Sequence, residues 1–321
     1  MNMTDFLGKI HILYRWLFTN QPTTAAIDLT HRCNLKCAHC YWWKQEHPEE
    51  LNDAAMVGLM RSLRRRGLRA AILYGGEPTL RLGMCRAACR IFDATLAFTN
   101  GTNGFPLLRN GQWILSLDGP EEINDRIRGK GVYARAVENL YRAPQPPIVH
   151  ITISQANRSA LGAFVAAMMD LPVKGVGFSF YTPSRGEAED PLFIPLHERD
   201  ALVGELTALR DRYGEKVGFT RAMARQFLSR QAFQQWNSLD TCPVTSRVLC
   251  FRSDGSPKVC TYGEKADCSR CGCAAVAAYR AAFHPPDRET LRVILGLMIP
   301  RARPGQTLLR ALAGRPASPQ A

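Results

Sequence analysis

Acidic residues are in short supply in this chain: 28 stand against 41 basic ones, a formal net charge of +13. An excess of this sign favours an anionic neighbour, whether nucleic acid, anionic lipid or an acidic substrate. Long apolar runs are missing too. None reaches the ~18–20 residues that a bilayer span needs, and no secretory pattern is visible. The expectation is a cytoplasmic protein, with peripheral contact at the inner membrane surface as the one membrane role left open. There is no internal repeat beyond a strand–helix alternation. With 46% hydrophobic residues over 321 positions, the chain can bury a sizeable core, and global disorder is excluded.

The arginines are concentrated. Arg61, Arg64, Arg65, Arg66 and Arg69 form one block, and Arg292, Arg301, Arg303, Arg310 and Arg315 a second. The plain reading of the first is a solvated helix face. The arginines lack the interleaved aromatics of a single-strand stacking platform, so nucleic acid is not an expected partner. Near the start, Phe6, Ile10, Leu13, Tyr14 and Leu17 recur at helical spacing, interrupted by Lys9, His11 and Arg15. Such a helix packs on its own domain or lies on a membrane surface.

Eleven cysteines remain to be placed, and they cluster. Extracellular disulfide frameworks are usually smaller and evenly stapled. Clusters in a chain of this size point to metal in a reducing compartment. Three lie in His31-Arg-Cys-Asn-Leu-Lys-Cys-Ala-His-Cys-Tyr41, at Cys33, Cys37 and Cys40. A [4Fe-4S] cube takes one ligand per iron, usually a thiolate, so three thiolates hold three irons and leave the fourth open. An open position separates a reactive metal site from a closed structural one. Half a zinc site, a disulfide and plain buried thiols are the alternatives. Structural zinc needs a fourth ligand, which no nearby Cys or His pair supplies. His39, between two of the cysteines, is expected to point elsewhere.

Strand-like segments at 25–30, 70–74, 95–99, 113–117, 148–154 and 175–181 alternate with helix-like ones at 53–66, 82–91, 133–141 and 159–169. This alternation predicts a parallel sheet with helices outside it. Between Thr99 and Trp113, Gly101, Gly104, Pro106 and Gly111 leave room for little more than a turn. A break at 182–186 ends the alternation, and helical segments follow at 197–213 and 221–235.

The run Cys33-x-x-x-Cys37-x-x-Cys40, with Tyr41 directly behind it, resembles the signature of the radical SAM enzymes. Tyr74-Gly-Gly-Glu-Pro78, Thr99-Asn-Gly101 and Ser116-Leu-Asp-Gly-Pro120, the last followed by Asp125-Arg-Ile-Arg-Gly129, fit the same pattern in order. The resemblance covers roughly residues 25 to 181, with a looser echo from 242 to 273. It implies a partial (β/α)6 TIM-type barrel with a small cysteine-rich C-terminal region. It also implies S-adenosylmethionine (SAM) on the open iron, cleaved to a 5′-deoxyadenosyl radical after one-electron reduction by a partner such as flavodoxin or ferredoxin. Cofactor-binding positions would be Tyr41, Gly75, Gly76, Glu77, Thr99, Ser116, Arg128 and Asn157. Gly75 and Gly76 would admit the ligand to the backbone, Glu77 would accept from its ammonium, and Thr99, Ser116 and Asn157 suit ribose or carboxylate. Arg128 suits the carboxylate in bidentate fashion, with Arg126 and Arg135 as competitors. Asp118 is a catalytic candidate that could equally cap a turn.

The six C-terminal cysteines, Cys242, Cys250, Cys260, Cys268, Cys271 and Cys273, resemble a SPASM or twitch extension. The chain departs from the fuller pattern: a single residue separates one pair, and too few cysteines remain for two fully ligated cubes. One auxiliary [4Fe-4S] cluster is implied, with zinc or reduced thiols as alternatives. Cys85 and Cys89, four apart on one helix, belong to the core. The resulting division is an N-terminal amphipathic helix (1–24), a core barrel (25–185), a helical connector (186–241), an auxiliary-cluster region (242–285) and a basic tail (286–321). The reaction expected is hydrogen abstraction from an unactivated carbon. The substrate is a peptide, or a lipid or isoprenoid met at a membrane. A non-catalytic iron–sulfur or zinc scaffold that binds RNA or anionic surfaces is the alternative.

Overall fold

The structure is a computed structural model that describes residues 8 to 298 except 9, 13, 16, 17, 20, 188, 230 to 241, 284 and 285. Eight strands form one sheet in the order β6-β5-β4-β3-β2-β1-β7-β8. The strands β1 (Thr24–Asp28), β2 (Ala70–Tyr74), β3 (Ala94–Thr99), β4 (Gly111–Ser116), β5 (Ile148–Ile153) and β6 (Gly175–Phe180) pair in parallel with their sequence neighbours. These are the six strands read from the sequence, shifted by no more than two residues at an end.

Parallel neighbours require crossovers. These are α1 (Asp53–Arg65), α2 (Leu82–Ile91), α3 (Glu121–Arg128) with α4 (Val132–Arg142), and α5 (Leu161–Met169). Asn52 caps α1 by accepting from the Ala55 N–H, and the face so fixed buries Met56, Met60 and Leu63. They meet Ala25, Ile27, Ala71 and Leu73 in a single core cluster. The β3–β4 crossover holds no helix, as its glycines predicted.

Alternation along the strands defines a second face. In β2, β3 and β5 the partly exposed residues are Ile72, Tyr74, Leu96, Phe98, His150 and Thr152, while their neighbours are buried. Register sets Ile72 beside Leu96 and His150 beside Gly177. Tyr74 stacks on Phe98 with centroids 4.6 Å apart, and Phe98 meets His150 edge-on at 5.6 Å. These side chains line the inside of the partial barrel, opposite the helix-covered face.

The cysteine-rich region extends this sheet. β7 (Val248–Phe251) pairs in parallel with β1, and β8 (Pro257–Lys258) returns antiparallel to β7. A four-residue apolar run carries no periodicity of its own, so this seventh strand was not legible. Chain beyond β8 then reaches the opposite edge. The Phe180 N–H donates to the Gly272 carbonyl (2.9 Å), the Gly272 N–H donates to Thr182 Oγ1 (2.9 Å), and Ser184 bridges Ala266. The segment thus spans the gap between β6 and β7.

Helices α6 (Arg199–Tyr213), α7 (Arg221–Phe227), α8 (Pro243–Arg247), α9 (Ala274–Phe283) and α10 (Arg288–Met298) complete the described α-helices. Described residues between 8 and 18 are helical. Ile12 joins Ala70, Ala94, Ala282 and Ile294 in a small cluster at the start of the strands. Phe6, Lys9, Leu13, Leu17, Arg301, Arg303, Arg310 and Arg315 lie outside the described residues, as does the end of the 221–235 segment.

Candidate functional site

Cys33, Cys37 and Cys40 sit on the loop leaving β1, at the end of the barrel where parallel-barrel chemistry is placed. All three are partly exposed. The residues between them are anchors. Asn34 Nδ2 donates to Thr102 Oγ1 (2.8 Å), and Asn100 Nδ2 donates to Asn34 Oδ1 (2.9 Å), tying the first gap to the end of β3. The Ala38 N–H donates to the Ile127 carbonyl (2.8 Å), and His39 Nε2 lies 2.9 Å from Asp118 Oδ2, tying the second gap to α3 and the end of β4. Trp42 Nε1 donates back to the His31 carbonyl (3.1 Å).

Gly75 and Gly76 press against the same loop. Gly75 has φ +115°, and a Cβ there would stand 3.2 Å from the Thr30 nitrogen and closer to its carbonyl oxygen. A Cβ on Gly76 would stand 2.6 Å from the Arg32 carbonyl carbon and closer still to its oxygen. What the missing side chains permit is a backbone ladder, with Gly76 N–H on Thr30 O (2.7 Å) and Glu77 N–H on Arg32 O (2.9 Å). The two glycines therefore fix the approach to Cys33.

Glu77 is buried and well supplied with donors. Its Oε1 accepts from the Thr79 N–H, the Thr79 hydroxyl and Thr99 Oγ1 (2.8 Å), and its Oε2 accepts from the Asn100 N–H (2.8 Å). Asn157 holds the turn after β5, its Nδ2 donating to the Asp118 and Thr152 carbonyls (2.7 and 2.9 Å). Ser116 ends β4 partly exposed. Tyr41 packs on Tyr262 with centroids 4.8 Å apart, joining the residue after Cys40 to the turn after Cys260.

Asp118 is the hub. Its side chain is fully buried; Arg128 Nε lies 2.7 Å from Oδ2, the oxygen that faces His39, and the Thr152 N–H donates to Oδ1 (2.9 Å). Burial alone would raise this carboxyl, but Arg128 and His39 hold it well below the usual carboxylate range. The structure thus brings Arg128 and Asp118 together beneath the cysteine loop, with His39 as a third member that sequence reading set aside.

Burial pushes the Cys33 and Cys40 thiols up to about 11. Cys37 is also raised by burial, with Arg128 opposing the rise. Such thiols ionise when a cation takes the charge. Among the described residues no three His, Cys, Asp or Glu side chains converge to hold a single ion. A cube gives each thiolate its own iron and needs no such convergence. The donor set therefore fits a cluster with three protein ligands.

The C-terminal cysteines gather on the other side of the barrel mouth. Cys242, Cys260, Cys271 and Cys273 each lie within electrostatic reach of the other three. Cys268 reaches Cys242 and Cys260. Cys250 is buried on β7, where burial pushes its thiol up to about 12. The single residue between Cys271 and Cys273 is glycine for a steric reason: a Cβ on Gly272 would stand 2.5 Å from the Phe180 carbonyl carbon. Cys85 and Cys89 are core residues of α2.

Sequence reading passed over two further features. His150 projects into the barrel interior, with Nε2 3.1 Å from Ser179 Oγ; burial holds its imidazole down at about 4, hence neutral near pH 7. Lys258 of β8 meets Asp28 of β1 (2.5 Å), both side chains no more than 2% exposed. A polar residue at an alternating position in an apolar strand was the available signal for both His150 and Asp28.

Residues 27–153 match the Radical SAM superfamily. The sporulation killing factor maturation protein SkfB of Bacillus subtilis is 30% identical over 151 residues, 42% of this chain and 37% of that protein. Fe-coproporphyrin III synthase of Methanosarcina barkeri is 31% identical over 146 residues, 40% of this chain and 37% of that protein. The matched stretch thus spans little more than a third of either relative. Streptococcus suis SuiB bound to its precursor peptide SuiA has a similar fold, with TM-score 0.59 at 14% identity over 85% of this chain and 68% of that one. Residues 27–153 of this chain are thus similar to the radical SAM superfamily, and the partial barrel is a fold shared with SuiB.

Proposed function

We propose that the chain is a radical SAM enzyme acting on a peptide, with Cys33, Cys37 and Cys40 as ligands to three irons of a [4Fe-4S] cluster. The observation that carries this reading is the anchoring of the three-cysteine loop to the ends of β3 and β4 through Asn34 and His39. A loop so held presents its thiols in one arrangement before any metal arrives, which is the condition for an ordered open site. Bound there, the cluster and SAM supply one-electron cleavage of the sulfonium and a 5′-deoxyadenosyl radical that abstracts hydrogen from an unactivated carbon. Glu77 Oε2, with one described donor, keeps acceptor capacity for the SAM ammonium. Tyr74, Phe98 and His150 wall the interior into which a substrate side chain would reach, shielding it from water.

Cys242, Cys260, Cys271 and Cys273, as mutual neighbours, are the proposed ligands of one auxiliary [4Fe-4S] cluster. A flavodoxin or ferredoxin is the proposed electron donor. The peptide assignment draws on the maturation protein SkfB and on SuiB with its bound precursor peptide. A lipid or isoprenoid substrate has one observation in its favour. Ile10, Tyr14 and Phe18, at successive i, i+4 positions of the N-terminal helical residues, are 46, 56 and 72% exposed. Among the described residues no helix is long and apolar enough to cross a membrane. Anaerobic reconstitution, dithionite and SAM test the chemistry through release of 5′-deoxyadenosine. Co-sedimentation with anionic liposomes tests the lipid reading: pelleting favours it, and protein left in the supernatant favours the peptide.

A further inference from the structure

Arg128 was read from the sequence as a partner for the SAM carboxylate, yet its guanidinium is committed elsewhere. It lies beneath the cysteine loop, 7% exposed, with Nε 2.7 Å from Asp118, and the preceding residue, Ile127, accepts the Ala38 N–H next to Cys37 (2.8 Å). Asp118, fully buried, is held by His39 and the Thr152 N–H. Ala38 and His39, the two residues after Cys37, are tied to Ile127 and Asp118 (2.8 and 2.9 Å), so the cation and the anion of one buried ion pair both lie beside the Cys37 turn, where water and salt screen them little.

We propose that Arg128 and Asp118 are positioning residues that tune the reduction potential of the cluster on Cys33, Cys37 and Cys40 in opposite directions. Reduction adds one electron to a centre whose thiolates already carry negative charge. A fixed cation beside Cys37 favours the reduced form, and a fixed anion disfavours it. Outer-shell partners of this kind orient and tune metal ligands generally. The electron comes from dithionite or a physiological flavodoxin, and neither side chain gains or loses a proton. The anchoring role is shared: His39 and Ala38 hold the second gap of the loop to Asp118 and Ile127. Tuning differs from anchoring in its sign. Losing an anchor loosens the loop whichever partner is removed.

This inference rests on the cluster assignment proposed above. The experiment is an EPR-monitored redox titration of the reconstituted full chain without SAM, for the parent, Arg128→Gln, Arg128→Lys and Asp118→Asn. Iron and sulfide content are measured alongside. The signal of interest is the one that disappears in Cys37→Ala. Arg128→Gln is expected to lower the reduction equilibrium at least tenfold, a shift of ~59 mV to more negative potential for one electron. Asp118→Asn is expected to raise it by a similar factor, and Arg128→Lys to stay near the parent because the charge is kept. Potentials that move together, or stay within the parent's error in all three variants, overturn the proposal. Should Arg128→Gln fail to hold iron, the sign for Asp118→Asn decides alone. A cluster signal that survives in Cys37→Ala and in Cys33→Ala sinks the cluster assignment itself, which separates that failure from failure of the tuning.

Discussion

Gly76→Ala puts the geometry of the cysteine loop to a quantitative test. The added Cβ would stand 2.6 Å from the Arg32 carbonyl carbon, 3.0 Å from the His31 carbonyl oxygen and nearest of all to the Arg32 oxygen. All three are backbone atoms one or two residues before Cys33, so no flexible side chain can yield. Relief requires the 30–32 segment to retreat by about 1 Å, breaking the hydrogen bond from Glu77 N–H to Arg32 O. Overpacking of this kind costs about 1–3 kcal/mol of stability, which a folded chain of this size survives. A misplacement of about 1 Å at a reacting site can cost about 100-fold in rate. The prediction is a folded protein with a melting temperature lowered by a few degrees and 5′-deoxyadenosine release down about 100-fold, read by mass spectrometry after anaerobic reconstitution. Gly58→Ala is the control: nothing lies within 4 Å of its Cβ in α1, and alanine should stabilise by roughly 0.5–1 kcal/mol. If Gly76→Ala turns over SAM at the parent rate, the ladder between the Gly-Gly turn and the cysteine loop does not position the site.

Three further outcomes follow from the same geometry. Gly272→Ala drives a Cβ into the Phe180 carbonyl and should separate Cys271 and Cys273 from β6. Iron should fall toward that of the three-cysteine site alone, and an unchanged iron and sulfide content would refute this. Lys258→Met leaves the buried Asp28 carboxylate unpaired and should destabilise by about 3–5 kcal/mol. The double variant Asp28→Asn with Lys258→Met should recover much of that loss in a denaturant melt, and no recovery would mean that the pair is not the cause. His150 titrates at about 4 in the fold against 6.5 for the free side chain. Between those values the unfolded chain binds the extra proton, so stability is full above pH 6.5 and falls as pH drops toward 4, by roughly 3 kcal/mol. His150→Gln should flatten that part of the stability–pH profile, and an unchanged slope would contradict burial of the imidazole.

The barrel was legible because its strands and helices each carry a strong local period. β2 and α2 occupy the residues read from the sequence, since Gly75 and Gly67 bound one and Pro78 and Phe92 the other. The clustering of Cys33, Cys37 and Cys40 on one loop was legible because residue spacing is itself a sequence property. What was hidden depends on partners distant in the chain. β7 becomes a strand only beside β1, more than 200 residues earlier. His39 was not legible as part of the site because its partner, Asp118, arrives only after three further strands. Why glycine is needed at 75 and 76 also depends on distant chain: an added Cβ would meet the backbone of Thr30 and Arg32. The glycine between Cys271 and Cys273 has a reason that lies about 90 residues away, since a Cβ there would meet the Phe180 carbonyl.

Three anchored thiols carrying a cluster able to cleave SAM are the core of the proposed function. Its most direct test is the yield of 5′-deoxyadenosine from the anaerobically reconstituted full chain with dithionite and SAM. The expected result is 5′-deoxyadenosine from the parent and none from Cys37→Ala. A parent protein that holds its full complement of iron and sulfide yet releases no 5′-deoxyadenosine would contradict it.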